Sequence, residues 1–289
     1  MLTAPRSLAA TPTNRSGQIR LKWTAPLSNG GWPITDYVMQ RSPNGSTGWA
    51  TITDGVNTAT AYTVTGLTNG VRYYFRVYAR TGTITGPSSN IADAIPRTRP
   101  SAPRSLAAAP TNLSGQIRLN WIAPASNGGS AITDYIIQRS PNGTTWTTVS
   151  DGINTATAYT VTGLTNGVRY YFRVFANNAA GTSPASPAVS ATPRTVPSQP
   201  SYVFVEADAD GFFLEWGTTD MTGGSPITGY VVQEYNLDTN TWVTLGTAGP
   251  TIHAVFIVAP GEGCGSFRVA AMNEADRGPY AGPVTDCWP

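Results

Sequence analysis

Apolar and polar residues alternate with a period of two through most of this chain. Ile19, Leu21 and Trp23 fall on one side of a segment whose intervening residues are Arg20 and Lys22, and Tyr73, Phe75, Val77 and Ala79 repeat the pattern. A period of two places successive side chains on opposite faces and predicts half-buried β-strands. Asn44-Gly45, Asn69-Gly70, Asn142-Gly143 and Asn166-Gly167 punctuate the pattern. Such pairs predict tight turns, because glycine accepts positive φ without steric cost. In the first part of the chain, strands are expected near residues 5–11, 17–24, 34–41, 48–53, 60–66, 72–80 and 89–96. No segment has helical periodicity.

The pattern recurs. Residues 58–77 and 155–174 are the same twenty residues, TATAYTVTGLTNGVRYYFRV, and Ser16–Arg20 recurs as Ser114–Arg118. A divergent third copy places Trp216, Ile227, Tyr230 and Val269 at 95 residues beyond Trp121, Ile132, Tyr135 and Val174. A repeat of this length is a whole small domain rather than a solenoid unit. The expected units are residues 1–98, 99–195 and 196–289, each an all-β, two-sheet sandwich of seven short antiparallel strands. The connecting segments 96–103 and 193–200 are proline-rich and predict semi-rigid spacers. With strands rising ~3.3 Å per residue, three units end to end make an elongated rod on the order of 100 Å long.

Certain positions carry a more specific signature. Trp23, Trp121 and Trp216 lie on the second strand of each unit, and Tyr37, Tyr135 and Tyr230 on the third. Leu67 and Leu164 each precede a tyrosine, Tyr73 and Tyr170, by six residues. In these features the chain resembles the fibronectin type III family. The resemblance implies three tandem immunoglobulin-like sandwiches with these residues as structural core, and a corner tyrosine whose hydroxyl bonds to the backbone. It implies no enzymatic activity and no cofactor. The third unit departs from the pattern, with Gly265 at the corner position and Ala259 in place of the leucine.

Composition narrows the setting. No run of about 18 apolar residues occurs, so no membrane-spanning helix is expected. Residues 1–5 lead straight into patterned sequence without a basic start or apolar stretch, so no leader is expected in this sequence. Lys22 is the sole lysine beside 17 arginines, a ratio that points to a GC-rich coding genome.

Cys264 and Cys287 are the only cysteines. They are symmetric about residues 273–278, the expected turn between the last two strands, so they face each other across a hairpin. A disulfide is expected, and with it a setting outside reducing cytosol.

Charge is unevenly distributed. Residues 1–99 carry a net +7, residues 100–195 +4 and residues 196–289 −9. The two ends therefore differ as docking surfaces. The arginines alternate with core residues along strands, which argues for solvated strand faces over nucleic-acid binding.

Catalytic and metal chemistry find little support. His253 is the only histidine, with no convergent acid and nucleophile evident, and is expected to be structural. Residues 206–211, EADADG, resemble the start of a calcium loop but lack its later ligands and align with a hairpin turn. Trp49, Trp146 and Trp242 recur at one position and are expected to pack on a sheet face.

The most promising contact is the loop Asn29-Gly30-Gly31-Trp32, where tryptophan replaces the Ser130 of the second unit. An exposed tryptophan suits a protein or sugar partner. The expected role is structural or adhesive, on a virion surface or in another extracellular setting. The partner would be a capsid, tail or cell-surface protein, or a surface glycan, with several copies assembled on a particle. The alternatives are a stalk within a secreted glycan-degrading enzyme or adhesin, and a carbohydrate-binding module centred on Trp32.

Overall fold

The computed structural model describes residues 1–258 and 263–287. Ala259 lies outside the described residues. In the first unit the strands are β1 (Arg6–Pro12), β2 (Ile19–Thr24), β3 (Asp36–Ser42), β4 (Ala50–Ile52), β5 (Ala61–Val64), β6 (Tyr73–Thr81), β7 (Ile84–Ser88) and β8 (Ala92–Ala94). The second unit has β9 (Arg104–Pro110), β10 (Ile117–Ile122), β11 (Ile132–Ser140), β12 (Thr147–Thr148), β13 (Ala158–Val161), β14 (Tyr170–Asn178), β15 (Gly181–Thr182) and β16 (Val189–Ala191). The third has β17 (Val203–Asp208), β18 (Gly211–Trp216), β19 (Ile227–Asn236), β20 (Thr241–Ala248), β21 (Ala254–Val258), β22 (Cys264–Asn273) and β23 (Arg277–Cys287).

Every unit pairs a three-stranded sheet with a larger one. The smaller sheets run β1-β2-β5, β9-β10-β13 and β17-β18-β21, and all pairings are antiparallel. The larger sheets are ordered β4-β3-β6-β7 and β12-β11-β14-β15, with β8 and β16 also pairing β6 and β14, and β20-β19-β22-β23. The inward residues of the alternating pattern form three separate cores. In each, the second-strand tryptophan meets the third-strand tyrosine: Trp23–Tyr37 at 5.5 Å, Trp121–Tyr135 at 5.4 Å and Trp216–Tyr230 at 5.6 Å between ring centres. Leu67 and Leu164 are buried in the first two cores.

Within the strand expected at 89–96 only Ala92–Ala94 (β8) forms, and a further segment, β7 (Ile84–Ser88), precedes it across a break. Polar side chains explain the break. Asn90 accepts a hydrogen bond from the Leu8 amide through Oδ1 (2.9 Å) and donates to the Leu8 carbonyl through Nδ2 (3.0 Å). Ser89 Oγ accepts from the Val77 amide at 3.0 Å. These side chains take ladder positions that a continuous strand would fill. In the third unit β23 runs unbroken.

The corner tyrosines act as expected. The Thr68 amide donates to Tyr73 Oη at 3.1 Å and the Thr165 amide to Tyr170 Oη at 3.3 Å. At the third corner, a Cβ on Gly265 would stand 2.5 Å from the Phe267 ring and 2.8 Å from Phe212. Those rings lie 5.1 Å apart and occupy the corner. The brace is covalent instead: Cys264 pairs directly with Cys287 across β22–β23, joined by a disulfide at a Cα separation of 4.0 Å.

Candidate protein-interaction surfaces

The Gly-Gly loop between the second and third strands of each unit has a structural role in two of the three. Gly128 and Gly129 lie under the first connecting segment, where a Cβ would stand 2.0 Å from the Thr98 carbonyl oxygen and 2.4 Å from the Gly70 amide nitrogen, respectively. Gly223 and Gly224 repeat this against Thr195 and Gly167 at 2.1 and 2.4 Å. Only glycine allows two backbones so close, and all four residues also hold positive φ. The Asn-Gly turn of one unit thus seats on the Gly-Gly loop of the next.

Hydrogen bonds fix the connecting segments. The Gly70 amide donates to the Pro96 carbonyl (2.9 Å) and Thr98 to Gly128 (2.9 Å), and Gly167 to Pro193 (2.9 Å) and Thr195 to Gly223 (2.8 Å) match them. Asn178 Nδ2 donates to the Thr98 and Asn127 carbonyls at 2.9 and 2.7 Å. Asn273 does the same to Thr195 and Thr222 at 2.8 and 2.7 Å. The second joint adds an ion pair between Arg194 and Glu274. Proline fixes φ in these segments, and the bonds fix their direction.

In the first unit the same loop is open. Gly31 has nothing within 4 Å of a Cβ, and Trp32 is 65% exposed. Asn29 shapes the loop, its Oδ1 accepting from the Gly31 amide at 3.1 Å and its carbonyl from Trp32 at 3.4 Å. Gly30 lies beneath the backbone of Met1 and Leu2. Trp32, Pro33, Thr35, Thr81, Gly82, Thr83 and Ile84 line a groove of about 480 Å³. Its floor is tied together by Thr35 Oγ1, which donates to the Arg80 carbonyl (3.2 Å) and accepts from the Gly82 amide (3.0 Å).

Trp49, Trp146 and Trp242 pack on sheet faces as expected. The partners were not evident from the sequence: Arg76, Arg173 and Arg268 each lie 4.1 Å above the tryptophan ring. Their Nε atoms donate to Gln40, Gln138 and Gln233 at 2.9, 2.8 and 2.8 Å. Arg76 is therefore a stacked, half-buried side chain, not a free solvated one. The planar guanidinium can both stack and donate in plane, which lysine cannot. Arg268 is additionally stacked on Tyr280, and burial lowers its pKa.

Neither candidate for site chemistry gains partners. His253 packs 5.1 Å from the Tyr230 ring, and its carbonyl accepts from the Trp216 amide. Residues 206–211 form the β17–β18 hairpin, where Asp208 Oδ1 accepts from the Asp210 amide at 2.9 Å. No cluster of three or more metal-ligating side chains occurs among the described residues.

The fibronectin type III domain model matches residues 3–95 and 101–192, more than half of the chain. This chain belongs to the fibronectin type III family. It is 29% identical over 289 residues to titin of Drosophila melanogaster, covering 95% of this chain and 2% of that protein. It is 28% identical over 287 residues to fibronectin type-III domain-containing protein 3a of Gallus gallus, covering 94% of this chain and 24% of that one. Fast-type myosin-binding protein C of Gallus gallus is 31% identical over 200 residues, covering 66% of this chain and 17% of that protein. The chain thus spans a quarter or less of the length of these relatives.

Proposed function

We propose that this chain is a non-catalytic spacer that holds a basic and an acidic end in fixed relation and contacts a protein partner through the Trp32 loop. One observation carries the proposal. The Gly-Gly loop is a seat for a neighbouring fibronectin module at Gly129 and Gly224, and is open beside an exposed tryptophan at Gly31. A surface built to receive protein backbone in two places is suited to receive it in the third. Myosin-binding protein C, by its name a protein-binding relative, supports a protein partner over a glycan.

The setting we favour is a surface outside reducing cytosol, which the Cys264–Cys287 disulfide supports. Within it, the finer reading we put first is a bacteriophage virion decoration, fibre or tail accessory. A stalk in a secreted enzyme or adhesin would use the same joints.

The test is binding of the whole chain to fractionated surface proteins of its source, compared with Trp32→Ala and with a glycan array. The expected result is protein binding that Trp32→Ala removes without changing the melting curve. Undiminished binding by Trp32→Ala, or glycan binding in its place, would overturn the assignment of this loop.

A further inference from the structure

The outer face of β17–β18–β21 inverts the chemistry of its counterpart in the first unit. On an exposed sheet face the outward positions are normally polar. Here they carry Phe204, Phe213 and Phe256, which are 49%, 38% and 46% exposed. Phe213 pairs directly with Phe256 on one side and Glu206 on the other, and Phe204 pairs with Glu215. The three phenylalanines therefore occupy neighbouring positions on one exposed face, beside two carboxylates. Tyr202 extends it, donating through Oη to Glu215 at 2.5 Å. Asp208 and Asp210 close it at the hairpin turn. Exposed aromatic residues clustered on one face in this way mark a contact site.

The equivalent face of β1–β2–β5 is small and cationic. Arg20 stands where Phe213 does and Lys22 where Glu215 does. Their cross-strand neighbours Thr11, Thr63, Ala9 and Ala61 replace Glu206, Phe256, Phe204 and Ala254. Arg15 occupies the hairpin turn in place of the aspartates. Protruding rings framed by acids thus face a recessed Ala/Thr floor framed by bases. Phenyl rings fit between guanidinium and ammonium groups by cation–π attraction, and the carboxylates match the bases in sign. The second unit is a poorer partner, since Asn120 stands where Lys22 does.

We propose that the Phe204–Phe213–Phe256 face of one chain docks on the Arg20–Lys22 face of a second copy. The contact is heterologous, so each copy offers one donor and one acceptor face and association continues head to tail unless a ring closes.

Sedimentation velocity of the whole chain over a concentration series at low and high salt tests this. The expected result is reversible association that weakens at high salt. Phe256→Ser should weaken it by at least about tenfold, and so should Arg20→Glu with Lys22→Glu. Adding Glu206→Lys and Glu215→Lys to the latter chain should restore it. Thermal melting of each variant separates loss of contact from loss of fold. A wild-type chain that stays monomeric throughout would overturn the proposal. So would association that persists after reversal of Arg20 and Lys22, which would indicate a Phe-to-Phe contact between identical faces.

Discussion

The amide nitrogen of Gly70 lies 2.4 Å from the point where a Cβ on Gly129 would stand, so the first and second units meet backbone to backbone. Gly167 and Gly224 repeat that relationship between the second and third. Gly129→Ala should therefore act twice. The left-handed φ of +81° costs about 1–2 kcal/mol locally, and the added methyl group unseats the joint. Gly31→Ala, at φ +89° with open space around it, should show only the local cost. Chemical denaturation would measure the shared term, and small-angle X-ray scattering should detect a changed arrangement in Gly129→Ala alone.

The Cys264–Cys287 bond closes the hairpin of the acidic unit where the corner tyrosine is missing. In the chain-entropy model a loop of this length contributes about 3 kcal/mol. Reduction, or Cys264→Ser with Cys287→Ser, should destabilise the third unit by about that amount and leave the first two unchanged. Hydrogen exchange resolved by segment would distinguish them.

Tyr73→Phe removes the acceptor of the Thr68 amide and should cost about 1 kcal/mol. Tyr170→Phe should do the same in the second unit, through Thr165. Urea unfolding of the single variants and of the pair would show two additive effects, because the sites share no partners.

Burial raises the pKa of Glu234, which sits on β19 opposite Phe267 and Val243. A carboxyl whose folded pKa is raised favours folding while protonated. That contribution is complete below its ordinary range and is lost as pH rises through the raised value. Glu234→Gln should therefore be more stable than the native chain at neutral pH and indistinguishable from it below about pH 4. Melting temperatures across that pH range are the check.

Much of the architecture was legible because it rests on period and repetition. The alternation through Ile19, Leu21 and Trp23, the duplicated corner tyrosines and the symmetric cysteines each imply a geometry that the structure shows. What escaped depends on contacts distant in sequence. Asn90 delays the start of the last strand to Ala92 by bonding to Leu8, and no local pattern marks that partner. Arg76 and Trp49 meet across neighbouring strands, so their stacking follows from register. Gly128-Gly129 looks like an ordinary loop until the preceding unit is placed against it. In the third unit the period set by Leu214 and Trp216 assigns Phe212 to the core, but nothing in that alternation announces an apolar residue, Phe213, at the outward position. The structure buries Phe212 and exposes Phe213.

Both joints hold the three units in one arrangement. Small-angle X-ray scattering of the whole chain, dilute and at high salt to suppress association, tests it most directly. The expected curve is reproduced by a single conformation with Gly129 and Gly224 seated. A curve that requires a broad ensemble of orientations between the units would contradict it.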